Sequence, residues 1–125
     1  MVKRGLTSPL AEGLTLDLAV YECLNVVWKE RKLLKRIDEE TALSLVKLMS
    51  DALAFTEIRS IKGLEGEVFS LACREGLTVY DASYLYTSIR ERATLVTDDQ
   101  ELKEKGSKYV RVLDTEQLIR ASKRG

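Results

Sequence analysis

Thr94-Leu95-Val96-Thr97-Asp98-Asp99-Gln100-Glu101-Leu102-Lys103-Glu104-Lys105-Gly106, followed by Tyr109-Val110-Arg111-Val112, carries the pattern from which the architecture is read. Thr94–Thr97 is short, apolar and partly β-branched, which predicts a strand. Asp99–Lys105 predicts a short helix stopped by Gly106, and Tyr109–Val112 predicts the next strand. A strand, a helix and a strand in that order form the repeating unit of an α/β domain with a mainly parallel sheet.

The same alternation continues outward. Leu14–Asp17 reads as a short strand. A long helix follows from Leu18 to Arg36, apolar early and basic late, where its cations suit the helix dipole. Asp38 predicts an N-cap for a second helix, Glu39–Leu53, and the two helices read as an antiparallel pair. Ala54–Arg59 predicts a strand, Lys62–Glu75 a helix closed by Gly76, and Tyr80–Arg92 another helix. Asp114 and Gln117 have the spacing of a capping box for a last helix that ends near Lys123. Met1–Gly13 is poorly patterned, broken by Gly5 and Ser8-Pro9. In open α/β sheets ligands gather beyond the carboxyl ends of strands, and Asp98 and Asp99 stand at such an end.

At 125 residues the chain is long enough for one domain, residues 1–125. Lys+Arg and Asp+Glu number 20 each, so no global field pulls the chain toward nucleic acid or membrane. Few amides beside many Glu, Lys and Arg suggest a thermophile. There is no His, so Ser and Cys lack their usual activating base. Cys23 and Cys73 stand alone, which argues against zinc. They read as buried reduced thiols, with a disulfide between them as the alternative. Neither an apolar stretch long enough to span a membrane nor a signal-peptide pattern occurs, so the cytoplasm is expected.

Three sites hold acids that need explaining. Glu22 lies within Leu18-Ala19-Val20-Tyr21-Glu22-Cys23-Leu24-Asn25-Val26-Val27-Trp28, an otherwise apolar run. Asp81 follows Thr78-Val79-Tyr80 at a helix start, and Asp98 and Asp99 follow the Thr94–Thr97 strand. A carboxylate in apolar surroundings must be paired, protonated or bound to a cation. If the acids meet, a hard, oxygen-preferring ion such as Mg²⁺ or Mn²⁺ is the natural occupant. Each acid also has an ordinary explanation. Glu22 shares a helix face with Leu18, Asn25 and Lys29, so a Glu22–Lys29 or Glu22–Arg pair on a partly exposed stripe is one. Asp81 suits a helix N-terminus. Asp98 with Glu101 fits a capping box, leaving Asp99 in the first turn. Their joint placement favours a metal site. Tyr80, Tyr84 and Tyr86 read as packing residues, and the basic half of the first helix as a solvated face that is also suited to phosphate. Gly63-Leu64-Glu65-Gly66 lacks the spacing of a phosphate-binding loop.

Together, Leu16-Asp17-Leu18-Ala19-Val20-Tyr21-Glu22-Cys23-Leu24-Asn25-Val26-Val27-Trp28-Lys29, Gly76-Leu77-Thr78-Val79-Tyr80-Asp81-Ala82-Ser83-Tyr84-Leu85 and Leu95-Val96-Thr97-Asp98-Asp99 resemble three motifs of the PIN domain. Within that family they resemble the toxin ribonucleases of VapBC toxin–antitoxin pairs. The resemblance implies a three-layer α/β/α sandwich, Mg²⁺ or Mn²⁺ dependence, cleavage of RNA, a homodimer and a small antitoxin partner. It maps the metal-binding acids onto Glu22, Asp81 and Asp99, with Asp98 as a neighbouring candidate. Thr97 matches the family's hydroxyl and Asn25 its amide, both positioning groups, and Lys29 and Arg31 would meet the RNA backbone. Family members open with a strand that lies mid-sheet and ends in Asp. Met1–Gly13 offers no such strand, so it is missing or replaced: by an upstream start, by a partner chain or rearranged sheet, or through descent into inactivity. Three functions follow: a metal-dependent ribonuclease; alternatively, an inactive PIN-like binding or dimerisation module; and, third, an unrelated α/β module whose acids are helix caps.

Overall fold

Side chains that accept free backbone N–H groups set the starts of four helices. In the computed structural model, which describes Val2–Lys3 and residues 13–124, Asp38 accepts from the Thr41 amide at 2.7 Å to open α2 (Glu39–Leu53). Thr78 accepts from the Asp81 amide at 3.1 Å to open α4 (Val79–Glu91). Asp99 accepts from the Leu102 amide at 2.8 Å to open α5 (Gln100–Gly106). Asp114 accepts from the Gln117 amide at 2.8 Å, and Gln117 accepts in return from the Asp114 amide at 2.9 Å, opening α6 (Thr115–Arg124). α1 spans Asp17–Trp28 and runs on through a π-helical turn at Lys29–Leu33. α3 spans Glu65–Glu75 and ends in Gly76, whose φ of 67° is the left-handed cap that glycine adopts without strain.

Five strands join these helices: β1 (Val2–Lys3), β2 (Gly13–Leu16), β3 (Glu57–Arg59), β4 (Thr94–Val96) and β5 (Val112–Leu113). They form one sheet in the order β3-β2-β1-β4-β5. β2 pairs with β3 and β4 with β5, both in parallel, whereas β1 is antiparallel to both of its neighbours. Four strands therefore run one way and β1 alone is reversed. The α/β/α sandwich with a mainly parallel sheet is present. Its central slot is filled from the segment that showed no strand pattern, with Val2 registered against both Leu14 and Leu95.

Successive residues of a strand face opposite sides of the sheet. Leu14, fully buried, packs with Leu95 against Val68, Leu71, Ala72, Ala82 and Leu85 of α3 and α4. Thr15 faces the other side, where Ala19 of α1 and Met49, Ala52 and Leu53 of α2 help to wall a cavity of about 470 Å³. No residue of α1 is buried, and Tyr21, Leu24, Val26 and Trp28 are all exposed. The apolar run around Glu22 is thus a surface, not the core segment its composition suggests. Cys23 and Cys73 are both free and exposed, contrary to the buried-thiol expectation.

Two further points arise from packing. α5 ends at Gly106, which is its last residue rather than its cap, and a Cβ there would meet Val112, Leu85 and Leu95 at 3.3–3.5 Å. Glycine lets the helix press onto β5. The backbone N–H groups of Tyr109 and Val110 turn back onto the Gly106 carbonyl at 2.9 and 3.0 Å, so the strand begins only at Val112.

Candidate functional site

β2 passes to β3 on one side of β1, and β4 passes to β5 on the other. This is the topological switch point at which α/β sheets open a crevice. α1 starts at the carboxyl end of β2, and Thr97-Asp98-Asp99 follows the carboxyl end of β4.

Asp81, in the first turn of α4, is half-buried. Burial raises its pKa above the usual carboxylate value, and the negative charges of Asp99, Glu22 and Glu101 raise it further, against the pull of the Thr78 hydroxyl. Three acids from two distant stretches of the chain therefore lie within electrostatic reach of Asp81. Glu22 is exposed on α1, and its Oε1 accepts a hydrogen bond from the Tyr84 hydroxyl at 2.6 Å across 62 residues of sequence. Burial and that bond push the Tyr84 phenol well above its ordinary pKa. Among the described residues no Glu22–Lys29 ion pair forms.

Asp99 rather than Asp98 is the N-cap of α5, which corrects the capping register read from Glu101. Thr97 closes the turn, its Oγ1 accepting from the Asp99 amide at 3.1 Å. Asp98 turns away. Both of its oxygens accept from Thr115, from the amide at 2.8 Å and the hydroxyl at 2.7 Å, and these bonds hold its pKa down. Asn25 lies exposed beside Glu22 in a groove on α1, and Lys29 and Arg31 are exposed on the π-helical turn beyond it.

The donor chemistry fits a hard divalent ion. All donors are carboxylate oxygens, their mutual repulsion is what a cation relieves, and the buried Thr15 hydroxyl has no hydrogen-bond partner beside the same cavity as Glu22 and Asp81. Among the described residues, though, no three acids or cysteines gather closely enough to ligate one ion directly. An ion such as Mg²⁺ keeps several of its waters and takes one or two carboxylates, so a loose set is compatible with it. Sequence reasoning passed over two acids, Glu101 and Asp17. Glu101 acts on Asp81 while paired with Lys105 at 2.7 Å. Its signal was its place two residues after Asp99. Asp17 begins α1 and adds negative charge near Tyr84. Its signal was its position at the end of a strand.

No family model matches the chain. The chain is 36% identical over 92 residues to Ribonuclease VapC3 of Pyrobaculum aerophilum, covering 73% of this chain and 69% of that protein. It is 37% identical over 110 residues to Exonuclease VapC9 of the same organism, covering 83% and 72%. The crystal structure of PAE2754 from Pyrobaculum aerophilum matches with a TM-score of 0.68 at 33% identity, over 88% of this chain and 72% of that one. With the three motifs, the sandwich and relatives of this identity and span in agreement, the chain belongs to the VapC-type PIN-domain family.

Proposed function

We propose that this protein is a ribonuclease of the VapC type that hydrolyses RNA phosphodiesters with Mg²⁺ or Mn²⁺ held by carboxylates. The observation that carries the reading is Asp81, half-buried in the combined negative field of Asp99, Glu22 and Glu101. The names of the two relatives, a ribonuclease and an exonuclease, support nucleolysis.

Glu22, Asp81 and Asp99 would hold the ion, directly or through water. When bound, the ion supplies an activated water and neutralises charge on the leaving oxygen. The remaining groups position. Tyr84 fixes the Glu22 carboxylate, Thr97 fixes the turn that carries Asp99, and Thr78 anchors the helix start that carries Asp81. Asn25 meets a ligand or the phosphate, and Lys29 and Arg31 take the RNA backbone. Asp98 serves the fold through Thr115. A homodimer and a small antitoxin are the proposed partners. Leu43, Leu48 and Phe55 on and after α2 are more than 60% exposed and give a second copy or a peptide an apolar surface to cover. No described helix is long and apolar enough to cross a membrane, and the cytoplasm is the proposed location.

Mn²⁺ should raise the melting temperature of the wild-type chain, and single-stranded RNA should be cleaved in Mn²⁺ by wild type but not by Asp81→Asn. No shift at saturating Mn²⁺ together with no cleavage would end the reading. One observation favours a second reading, a PIN-like binding module that does not cut: among the described residues no three acids surround one point.

A further inference from the structure

A second concavity, of about 550 Å³, adjoins the acids along α1 and is rimmed by Tyr21, Trp28 and Tyr80. Tyr21 is 72% exposed, Tyr80 62% and Trp28 50%. Two of these rings directly precede the candidate ligands in sequence, as Tyr21-Glu22 and Tyr80-Asp81. Tyr84 and Tyr86, by contrast, pack against the core as expected. Packing therefore explains two of the three tyrosines on α4 and leaves Tyr80 unaccounted for.

We propose that this groove stacks an unpaired nucleobase of the strand whose phosphate reaches the acids; the proposal rests on the nuclease reading and assigns that site its base-binding subsite. Glu22 lines both this groove and the cavity that holds Asp81, so whatever fills the groove meets the Glu22 carboxylate. A nucleic acid strand has the right composition for such a path. Its base presents a flat π-face to aromatic rings, which stack on every base regardless of sequence. Its edge presents donors and acceptors, which the Asn25 amide can match with one of each. Its backbone carries phosphates, and the exposed Lys29 and Lys32 follow Asn25 and Trp28 by one helical turn. Paired bases hide their faces in the stack, so the groove selects single-stranded nucleic acid. An amphipathic peptide explains the apolar rim but not the Glu22 carboxylate that the groove shares with the cavity beside Asp81.

Trp28 is the chain's one tryptophan and reports on its own groove. The test titrates the full-length protein, in EDTA, with a 2′-O-methyl hexa-adenylate and follows tryptophan emission. Saturable quenching is expected, with no comparable quenching by the same sequence in a duplex. Tyr21→Ala and Tyr80→Ala, at exposed positions where folding is not at stake, should each weaken binding by about five- to a hundredfold. Trp28→Ala, read with a dye-labelled strand, should do the same. Equal quenching by duplex, unchanged affinity in both tyrosine variants, or Trp28 covered by a second copy or a peptide in the presence of the strand would each overturn the proposal. A cleavage assay on the wild-type chain in Mn²⁺, run beside the titration, separates the two readings. Quenching kept without any Mn²⁺-dependent cleavage by wild type sinks the nuclease reading alone. Cleavage by wild type without quenching sinks the groove alone.

Discussion

Replacing Tyr84 with Phe removes a single oxygen, the one that ties α4 to Glu22 of α1 at 2.6 Å. The ring's packing against the core is kept, so no cavity opens. A hydrogen bond to a charged acceptor contributes roughly 1.5–3 kcal/mol when both groups would otherwise stay dry. Glu22 is exposed and rehydrates when the hydroxyl is lost, which brings the expected cost to about 1–1.5 kcal/mol. Unfolding entropy is about 2.1 cal/mol/K per residue, or roughly 0.26 kcal/mol/K for 125 residues, so Tyr84→Phe should melt about 4–6 °C lower. In a Glu22→Gln background the same change should cost less, because its charged acceptor is gone. Calorimetry at neutral pH without metal checks both. If Glu22 holds a cation, loosening its carboxylate should also weaken Mn²⁺ binding by about tenfold, the low end for groups that orient a ligand. An unchanged melt, or a cost in the Glu22→Gln background equal to that in wild type, would refute the reasoning.

Asp81→Asn should melt higher than wild type at neutral pH without metal, and should lose the Mn²⁺-induced rise. Asp81 binds its proton more readily folded than unfolded, so its ionised form opposes folding at neutral pH and that opposition fades as pH falls through its folded pKa; melts across the acid range should show the gap between variant and wild type closing. Asp99→Ala should lose both the α5 cap, about 1 kcal/mol, and the metal response, whereas Asp99→Asn keeps the cap and loses only the response; thermal scans with and without Mn²⁺ separate them. Asp98 behaves in the opposite way to Asp81. Its depressed pKa lends stability above the unfolded value that is lost as pH falls through the folded one, so Asp98→Ala should melt lower than wild type at neutral pH and converge with it in acid.

Much of the fold was legible because its signals are local. Asp38, Asp114 with Gln117, and Gly76 mark helix ends by chemistry that acts within four residues. Gly106 marks the end of α5 to within a residue, but its close approach to Leu85 and Val112 was not legible, because no local pattern names those partners. The segment before Gly13 carries no strand alternation, and the two residues that pair there are specified by their neighbours Leu14 and Leu95 rather than by their own pattern. At the site, the apolar run picked out Glu22, a helix start Asp81 and a strand end Asp99, and Asp81 feels the charge of the other two. That Asp98 spends both oxygens on Thr115 was not readable, because the partner lies 17 residues away. The apolar stripe of α1 looked like core because apolar periodicity shows which residues share a helix face but not whether anything covers that face.

Among the described residues, the two parallel pairs of the sheet meet through β1, along ladders two residues long on either side. Glu22 rides on the helix that leaves one half, and Asp99 on the turn that leaves the other. Any shear along that seam is a change in the spacing between them, while α4, which touches both β1 and β4, carries Asp81 across the join. The width of the acidic cleft is thus tied to one of the briefest runs of backbone pairing among the described residues.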